Sequence, residues 1–202
     1  MNVHAQADTL LSRSIASLET QAPVRVASVA LAVALTAAAA QFTLPVPFTA
    51  VPFTLTPLVV MLTGAALGSR LGFVTQALYL VAGAVGLAVF APSPLLPPGA
   101  LRLSGPTGGY LLAYPIAAFA TGWLAERGWD RRYWTSLASM LVGLSIIFAG
   151  GVSWLALAFT QSLSAALAQG FLPFVLADLV KAAAAAMILP QAWRLIGRDY
   201  RT

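Results

Sequence analysis

The length of the apolar segments is the feature that most constrains what this chain can fold into. Residues 24–42 read VRVASVALAVALTAAAAQF, and residues 171–193 form a second long apolar run. A helix needs about 18 or more such residues to cross a hydrocarbon core about 30 Å thick. The mean hydropathy of +0.85 and a charged content of 8% indicate that most of the chain is similarly apolar. The sequence therefore predicts an all-α integral membrane protein.

The apolar pattern predicts six transmembrane helices, at residues 24–42, 55–67, 71–90, from the turn at 105–110 to about 125, within 134–159 (loosened at Gly150 and Gly151) and 171–193. We expect residues 1–22 to be a cytoplasmic leader, 23–196 the six-helix transmembrane domain and 197–202 a cytoplasmic tail. Six spans place both termini on one side, and the positive-inside rule makes that side cytoplasmic. The basic residues that set this orientation are Arg13, Arg25, Arg70, Arg127, Arg131, Arg132, Arg194, Arg198 and Arg201. The loops at 43–54, 91–106 and 161–170 then face outward.

The inventory of reactive side chains argues against an enzyme. The chain has no cysteine, and its single histidine, His4, lies in the polar N-terminal segment. No Gly-x4-Gly-Lys-Ser/Thr nucleotide motif occurs, so an ATP-driven step would belong to partners. We expect no metal, no cofactor and no catalytic residue. The net charge of +5 is spread over loops, so nucleic acid is not an expected partner, whereas membrane lipid is.

Two charges lie inside the last apolar run, Asp178 and Lys181. A charge at membrane depth costs about 2.5–3.5 kcal/mol on insertion scales, so such residues usually mark a functional site. The i, i+3 spacing puts both on one helix face. They are expected seven to ten residues into the last helix, about 10–15 Å from its outer end. The pair is predicted either to bind a solute or only to stabilise a helix in a membrane scaffold.

The outward loops are rich in proline and small residues. The repeated Val-Pro-Phe-Thr at 46–49 and 51–54 either caps a cavity or anchors its aromatic rings at the interface. Residues 91–106 contain five prolines and are predicted to form a lid without secondary structure. The turn Gly105-Pro106-Thr107-Gly108-Gly109-Tyr110 opens the fourth span, where free backbone N–H groups can receive a ligand.

Two further polar or small-residue features concern contacts between helices. Gln76, the one amide of the third span, is predicted to hydrogen-bond a neighbouring helix. Ala30, Ala34 and Ala38 recur every four residues in the first span and allow a second helix to approach closely. That second helix belongs either to this chain or to a partner subunit.

These elements together resemble a known family. The segment Pro45–Thr49, the glycine-rich third span, the Gly105–Tyr110 turn and Asp178-Leu179-Val180-Lys181 are similar to the BioY family. Members are the biotin-specific substrate-binding (S) components of energy-coupling factor (ECF) transporters, and the resemblance covers residues 24–196. It implies a six-helix protein of a bacterial cytoplasmic (inner) membrane that captures biotin from outside. It also implies a transmembrane T component and cytoplasmic ATPases as partners, with Ala30, Ala34 and Ala38 as the docking surface.

The resemblance also implies which residues bind the ligand. Asp178 and Lys181 are expected to contact biotin, with Thr107, Gly108, Gly109 and Tyr110 at the turn. Some relatives carry a basic residue after this turn, where this chain has Leu111, and Arg102 is the expected substitute. Biotin offers ureido N–H donors, a ureido carbonyl, apolar rings and a carboxylate. Asp178 can accept from the ureido N–H, and Lys181 can donate to the ureido carbonyl or to the carboxylate. An S component for another vitamin is the alternative.

Overall fold

The structure is a computed structural model, and it describes residues 9–14, 21–93 and 96–198. Long helices make up most of this part of the chain, and short elements connect them. The helices are α1 Leu10–Ser14, α2 Gln21–Gln41, α3 Thr56–Leu67, α4 Ser69–Ala84, α5 Leu101–Ser104, α6 Gly108–Ala125, α7 Tyr133–Leu155, α8 Leu163–Gly170 and α9 Val175–Arg198. The other elements are the strands β1 Thr43–Leu44 and β2 Phe53–Thr54, a 3-10 turn Trp129–Arg131 and a π-helical turn Ala156–Thr160.

Length and hydropathy identify which of these helices can cross a membrane unaided. Three described segments meet both conditions: Gln21–Gln41, Tyr133–Thr160 and Val175–Leu195. The shorter helix Thr56–Leu67 is also apolar. The molecule is thus a helical membrane protein, as its composition predicts.

Helix α6 lies at the centre of the bundle and packs against α3, α4 and α7. Its contact with α3 depends on small residues. A Cβ at Gly64 would lie 2.8 Å from the Cα of Ala118, and one at Gly122 would lie 2.7 Å from the Gly64 carbonyl oxygen. Such close backbone approach is how helices gain packing energy in lipid, where the hydrophobic effect does not drive their association.

A buried polar contact joins α2, α3 and α4. Gln76 is fully buried, and its amide nitrogen donates to the hydroxyl oxygens of Thr63 at 3.0 Å and Thr36 at 3.3 Å. The predicted interhelical hydrogen bond of Gln76 is therefore confirmed. This contact links three helices through one side chain.

The two ends of the bundle differ in chemistry. At one end Glu126, after α6, accepts hydrogen bonds from the backbone N–H and the hydroxyl of Ser69 at 2.7 and 2.8 Å. Helix α1, the turn Trp129–Arg131 and the last turns of α9 lie at this end. The β1–β2 hairpin and the segment preceding α6 lie at the opposite end. The predicted separation of basic segments from proline-rich loops is visible in this arrangement.

Several predicted boundaries are wrong. The third span was expected to reach residue 90, but α4 ends at Ala84 because Gly86 takes a φ of 103°, which leaves the helical region. The outer lid, expected to lack secondary structure, contains the helical turn Leu101–Ser104. The loop at 43–54 pairs with itself, Thr43 opposite Thr54. Proline prevents a helix there but permits two short edge strands.

The expected loosening of the fifth span at Gly150 and Gly151 is also wrong. Both residues lie in regular helix, and the helix widens later, at Ala156–Thr160. The glycines instead let α6 and α7 approach each other. A Cβ at Gly150 would lie 2.8 Å from the Cβ of Ala113, and one at Gly151 would overlap the ring of Tyr110.

The last helix begins later than predicted. Pro173 cannot donate a backbone hydrogen bond, and residues 171–174 form turns, so α9 starts at Val175. Asp178 is then the fourth residue of α9 and Lys181 the seventh, about 5 and 9 Å along the axis from its start. Of the predicted leader and tail, residues 1–8, 15–20 and 199–202 lie outside the described residues.

Candidate functional site

A cavity opens toward the hairpin end of the bundle, between α3, α6, α7 and α9. Its volume is about 60 Å³, below the roughly 300–1,000 Å³ of pockets that hold small ligands. Most of its wall is aromatic or aliphatic. The charged side chains that line it are Asp178, Lys181 and Arg102, and its aromatic lining comprises Phe53, Tyr79, Phe90, Tyr110, Tyr114, Phe148 and Phe174.

Asp178 and Lys181 form the floor of this cavity as an ion pair. The Lys181 Nζ donates to Oδ1 of Asp178 at 2.6 Å, and each side chain is 8% exposed. The predicted pairing on one face of the last helix is confirmed. Two opposite charges at this distance offset much of each other's desolvation cost, and a hydrogen bond between them adds to the offset.

Lys181 also connects α9 to the β1–β2 hairpin. Its Nζ donates to the carbonyl oxygen of Thr54 at 2.5 Å and lies 3.6 Å from the centroid of the Phe53 ring. Both residues belong to β2, which the β1 pairing holds over the cavity. An ammonium group has three donors, and two of them are engaged here. Lys181 thus donates hydrogen bonds both to the Asp178 carboxylate on its own helix and to a backbone carbonyl of the hairpin.

Arg102 lies on the opposite wall, and it is 6% exposed. Its guanidinium donates to the carbonyl oxygen of Leu96 at 3.0 Å and to that of Ala91, which fixes the outer segment around α5. Burial lowers the pKa of this guanidinium, and the nearby Tyr79 hydroxyl acts in the opposite direction. An arginine keeps its charge at neutral pH even so.

Three residues of the cavity wall also line a second, larger space. Beyond the cavity lies a vestibule of about 440 Å³, between hairpin residues 43–52 and residues 92, 93, 96, 102, 106 and 107. Pro52, Arg102 and Thr107 border both the cavity and the vestibule. A ligand long enough to reach from one space to the other would pass the Arg102 guanidinium.

The predicted turn before α6 divides between two roles. Tyr110 lines the cavity, and its hydroxyl donates to the carbonyl oxygen of Gly170 at 2.8 Å. Gly108 and Gly109 are buried away from the cavity, where a Cβ on Gly109 would overlap Trp154 of α7. The structure therefore gives both glycines a packing role, and their contact with a ligand stays a prediction.

Five aromatic residues of the cavity were missed by sequence reasoning: Tyr79, Phe90, Tyr114, Phe148 and Phe174. Tyr79 is fully buried, donates from its hydroxyl to the Val89 carbonyl at 3.2 Å, and meets the Phe90 ring edge-on at a centroid distance of 5.3 Å. Tyr114 lies one helical turn below Tyr110. The signal that could have found the two tyrosines is the phenol group itself, because a tyrosine within an apolar span needs a partner for its hydroxyl.

The alanine series of α2 faces away from the bundle. Ala30, Ala34 and Ala38 are exposed, whereas Thr36 and Ala40 on the other face are buried. These three alanines therefore do not pack against the described part of this chain, and their role in docking a partner subunit stays a prediction. No group of three or more His, Cys, Asp or Glu side chains that could hold a metal ion occurs in the described ranges.

A solved structure has the same architecture. The crystal structure at 2.1 Å of the S-component for biotin from an ECF-type ABC transporter superposes with a TM-score of 0.78. The match covers 87% of this chain and 94% of that one, at 23% sequence identity. At this identity the likeness shows a shared fold.

Sequence comparison goes further. The chain is 41% identical to the probable biotin transporter BioY of Pyrococcus horikoshii over 163 residues, which cover 81% of this chain and 92% of the relative. It is also 41% identical to the biotin transporter BioY of Thermotoga maritima over 143 residues, 71% of this chain and 81% of that one. The family model described as "BioY family" matches residues 12–198. The predicted resemblance is confirmed: this chain belongs to the BioY family.

Proposed function

We propose that this protein captures biotin at the outer face of a bacterial cytoplasmic (inner) membrane, as the S component of an ECF-type transporter. The observation that carries the proposal is the buried Asp178–Lys181 pair at the floor of an aromatic cavity, in a chain whose relatives are named biotin transporters. The site holds a carboxylate, an ammonium and a guanidinium around apolar walls. It binds a solute and performs no chemistry.

The donors and acceptors of this site match those of biotin. In the structure, the Lys181 ammonium donates to the Thr54 carbonyl. The ureido carbonyl of biotin replaces it there, and Asp178 accepts from a ureido N–H. The aromatic walls enclose the fused rings. The valeryl chain extends toward Arg102 at the border with the vestibule, where the guanidinium receives the carboxylate.

Binding requires the hairpin to move. A cavity of about 60 Å³ is well below the roughly 300–1,000 Å³ of pockets that hold small ligands. Release of the Thr54 carbonyl and the Phe53 ring from Lys181 joins the cavity to the vestibule of about 440 Å³. The bound ligand then supplies the contacts that the hairpin gives up.

The proposed topology has six spans, formed by α2, α3, α4, α6, α7 and α9. Arg70, Arg127, Arg131, Arg132 and Arg194 all lie at the end opposite the cavity, which the positive-inside rule assigns to the cytoplasm. The hairpin end then faces outward. The exposed faces of the helices, where apolar side chains such as Leu31 and Trp134 lie open, contact lipid.

The exposed alanine surface of α2 supports a partner subunit. Ala30, Ala34 and Ala38 form a shallow stripe along a helix that packs on the bundle only through its other face. We propose that a helix of a transmembrane T component docks there, and that cytoplasmic ATPases drive uptake through that component. Uptake of labelled biotin by cells that express the chain with and without these partners tests this part separately.

A vitamin panel tests the proposed ligand. The purified chain is titrated calorimetrically with biotin, thiamine and riboflavin in one detergent. Heat of binding with biotin alone supports the proposal. Binding of another vitamin in place of biotin would make the chain a different S component, and no binding of any vitamin would favour a membrane scaffold.

A further inference from the structure

An open cleft of about 310 Å³ lies at the end of the bundle opposite the ligand cavity. It is bounded by the segment that leads into α7 and by the last turns of α9. Three arginines line it, Arg131, Arg132 and Arg194, and each of them is exposed. Its remaining wall includes Met187 and Pro190. The cleft thus combines guanidinium groups with apolar side chains.

The carboxylates near the cleft are engaged by other groups. Asp130 is 1% exposed and accepts a hydrogen bond from Nε1 of Trp193 at 2.5 Å. The guanidinium of Arg131 lies over the same indole ring, 4.9 Å from its centroid. Glu126 is bonded to Ser69. The exposed guanidinium groups of Arg132 and Arg194 therefore give the cleft its positive charge.

The surface around the cleft is apolar and open. Trp134 is 76% exposed, Met187 52%, Ile188 49% and Leu195 65%. A residue pattern of this kind belongs at a membrane boundary, where aromatic rings lie at headgroup level and aliphatic side chains contact acyl chains. The arginines lie next to this apolar band, so an anion bound by them would be within reach of lipid-facing side chains.

We propose that this cleft is a binding site for an anionic phospholipid. The guanidinium groups of Arg132 and Arg194 hold the phosphodiester of the headgroup, since planar N–H donors match phosphate oxygens in pairs. The acyl chains run along the exposed Met187 and Ile188. Trp193, fixed by Asp130, supports the wall on which Arg131 stacks. The site would attach the cytoplasmic ends of α7 and α9 to one lipid molecule.

Native mass spectrometry of the full chain in detergent tests this site. The protein is titrated with phosphatidylglycerol and with phosphatidylcholine of the same acyl chains. We expect the anionic lipid to be retained preferentially, and Arg132→Gln or Arg194→Gln to weaken that retention about fivefold each, the effect of one basic residue near a membrane surface. Arg25→Gln, which removes an exposed arginine outside the cleft, is the matched control and should leave retention unchanged.

Three results would overturn the proposal. The first is equal retention of the two lipids, and the second is equal loss in the Arg25→Gln control. The third is binding of glycerol phosphate as tight as that of the whole lipid, which would make the ligand a free phosphate compound. Arg132→Lys keeps the charge but removes the planar set of N–H donors. Lipid retention weaker than that of the parent indicates paired recognition of phosphate oxygens, whereas unchanged retention indicates electrostatic attraction alone. Biotin titration of every variant checks that the fold is intact.

Discussion

Removing the ammonium group of Lys181 should destabilise the whole protein. In Lys181→Met the Asp178 carboxylate stays buried, with a side chain that is 8% exposed, but loses its partner at 2.6 Å. Breaking a buried ion pair from one side costs about 3–5 kcal/mol. For a chain of 202 residues this corresponds to a fall in Tm of roughly 6–20 °C, at about 2–4 °C per kcal/mol.

The assay is thermal unfolding of the purified protein in one detergent, followed by tryptophan fluorescence. Val180→Ala is the matched control, because Val180 lies one residue away on α9 and is 70% exposed. We expect its Tm to stay within about 2 °C of the parent. The double variant Asp178→Asn/Lys181→Met removes both charges and should regain most of the loss. A single variant as stable as the parent, or a double variant no more stable than Lys181→Met, would refute the coupling of these two groups.

Three further predictions follow from the packing. Gly151→Val places side-chain atoms against the ring of Tyr110. It should lower the free energy of unfolding by about 1–3 kcal/mol in the same assay. Tyr110→Phe leaves the buried Gly170 carbonyl without its donor at 2.8 Å and should cost about 1–3 kcal/mol by the same measurement, with no change in oligomeric state. Ala34→Trp should leave biotin affinity unchanged and abolish co-purification with the T component, because it fills the exposed stripe of α2; undisturbed co-purification would place the docking surface elsewhere.

Local sequence predicts the parts of the site that a single helix determines. Asp178 and Lys181 are three residues apart, and one helix face brings them together whatever else the chain does. The outward exposure of Ala30, Ala34 and Ala38 could not be decided in this way. That outcome depends on which side of α2 meets α3 and α4, and small residues suit either side equally well.

Contacts between distant segments were beyond sequence reasoning. The bond from Lys181 to the Thr54 carbonyl joins residues 127 positions apart, and no local pattern predicts it. The inclusion of Tyr79 in the cavity likewise depends on how α4 packs against α6. Pro173 was the missed local signal, since a proline there predicts that the last helix begins after it. Because of that one residue, Asp178 lies in the first turn of the helix and not seven residues into it.

Titration of biotin into the purified chain, its Asp178→Asn variant and the Val180→Ala control tests the central claim most directly. Asn keeps the shape of the side chain but loses the charged acceptor, which is worth about 1.5–3 kcal/mol in a buried hydrogen bond. We predict binding to the parent and the control with equal affinity, and binding to Asp178→Asn at least tenfold weaker. Equal affinity in all three proteins, or no binding to the parent, would contradict the account.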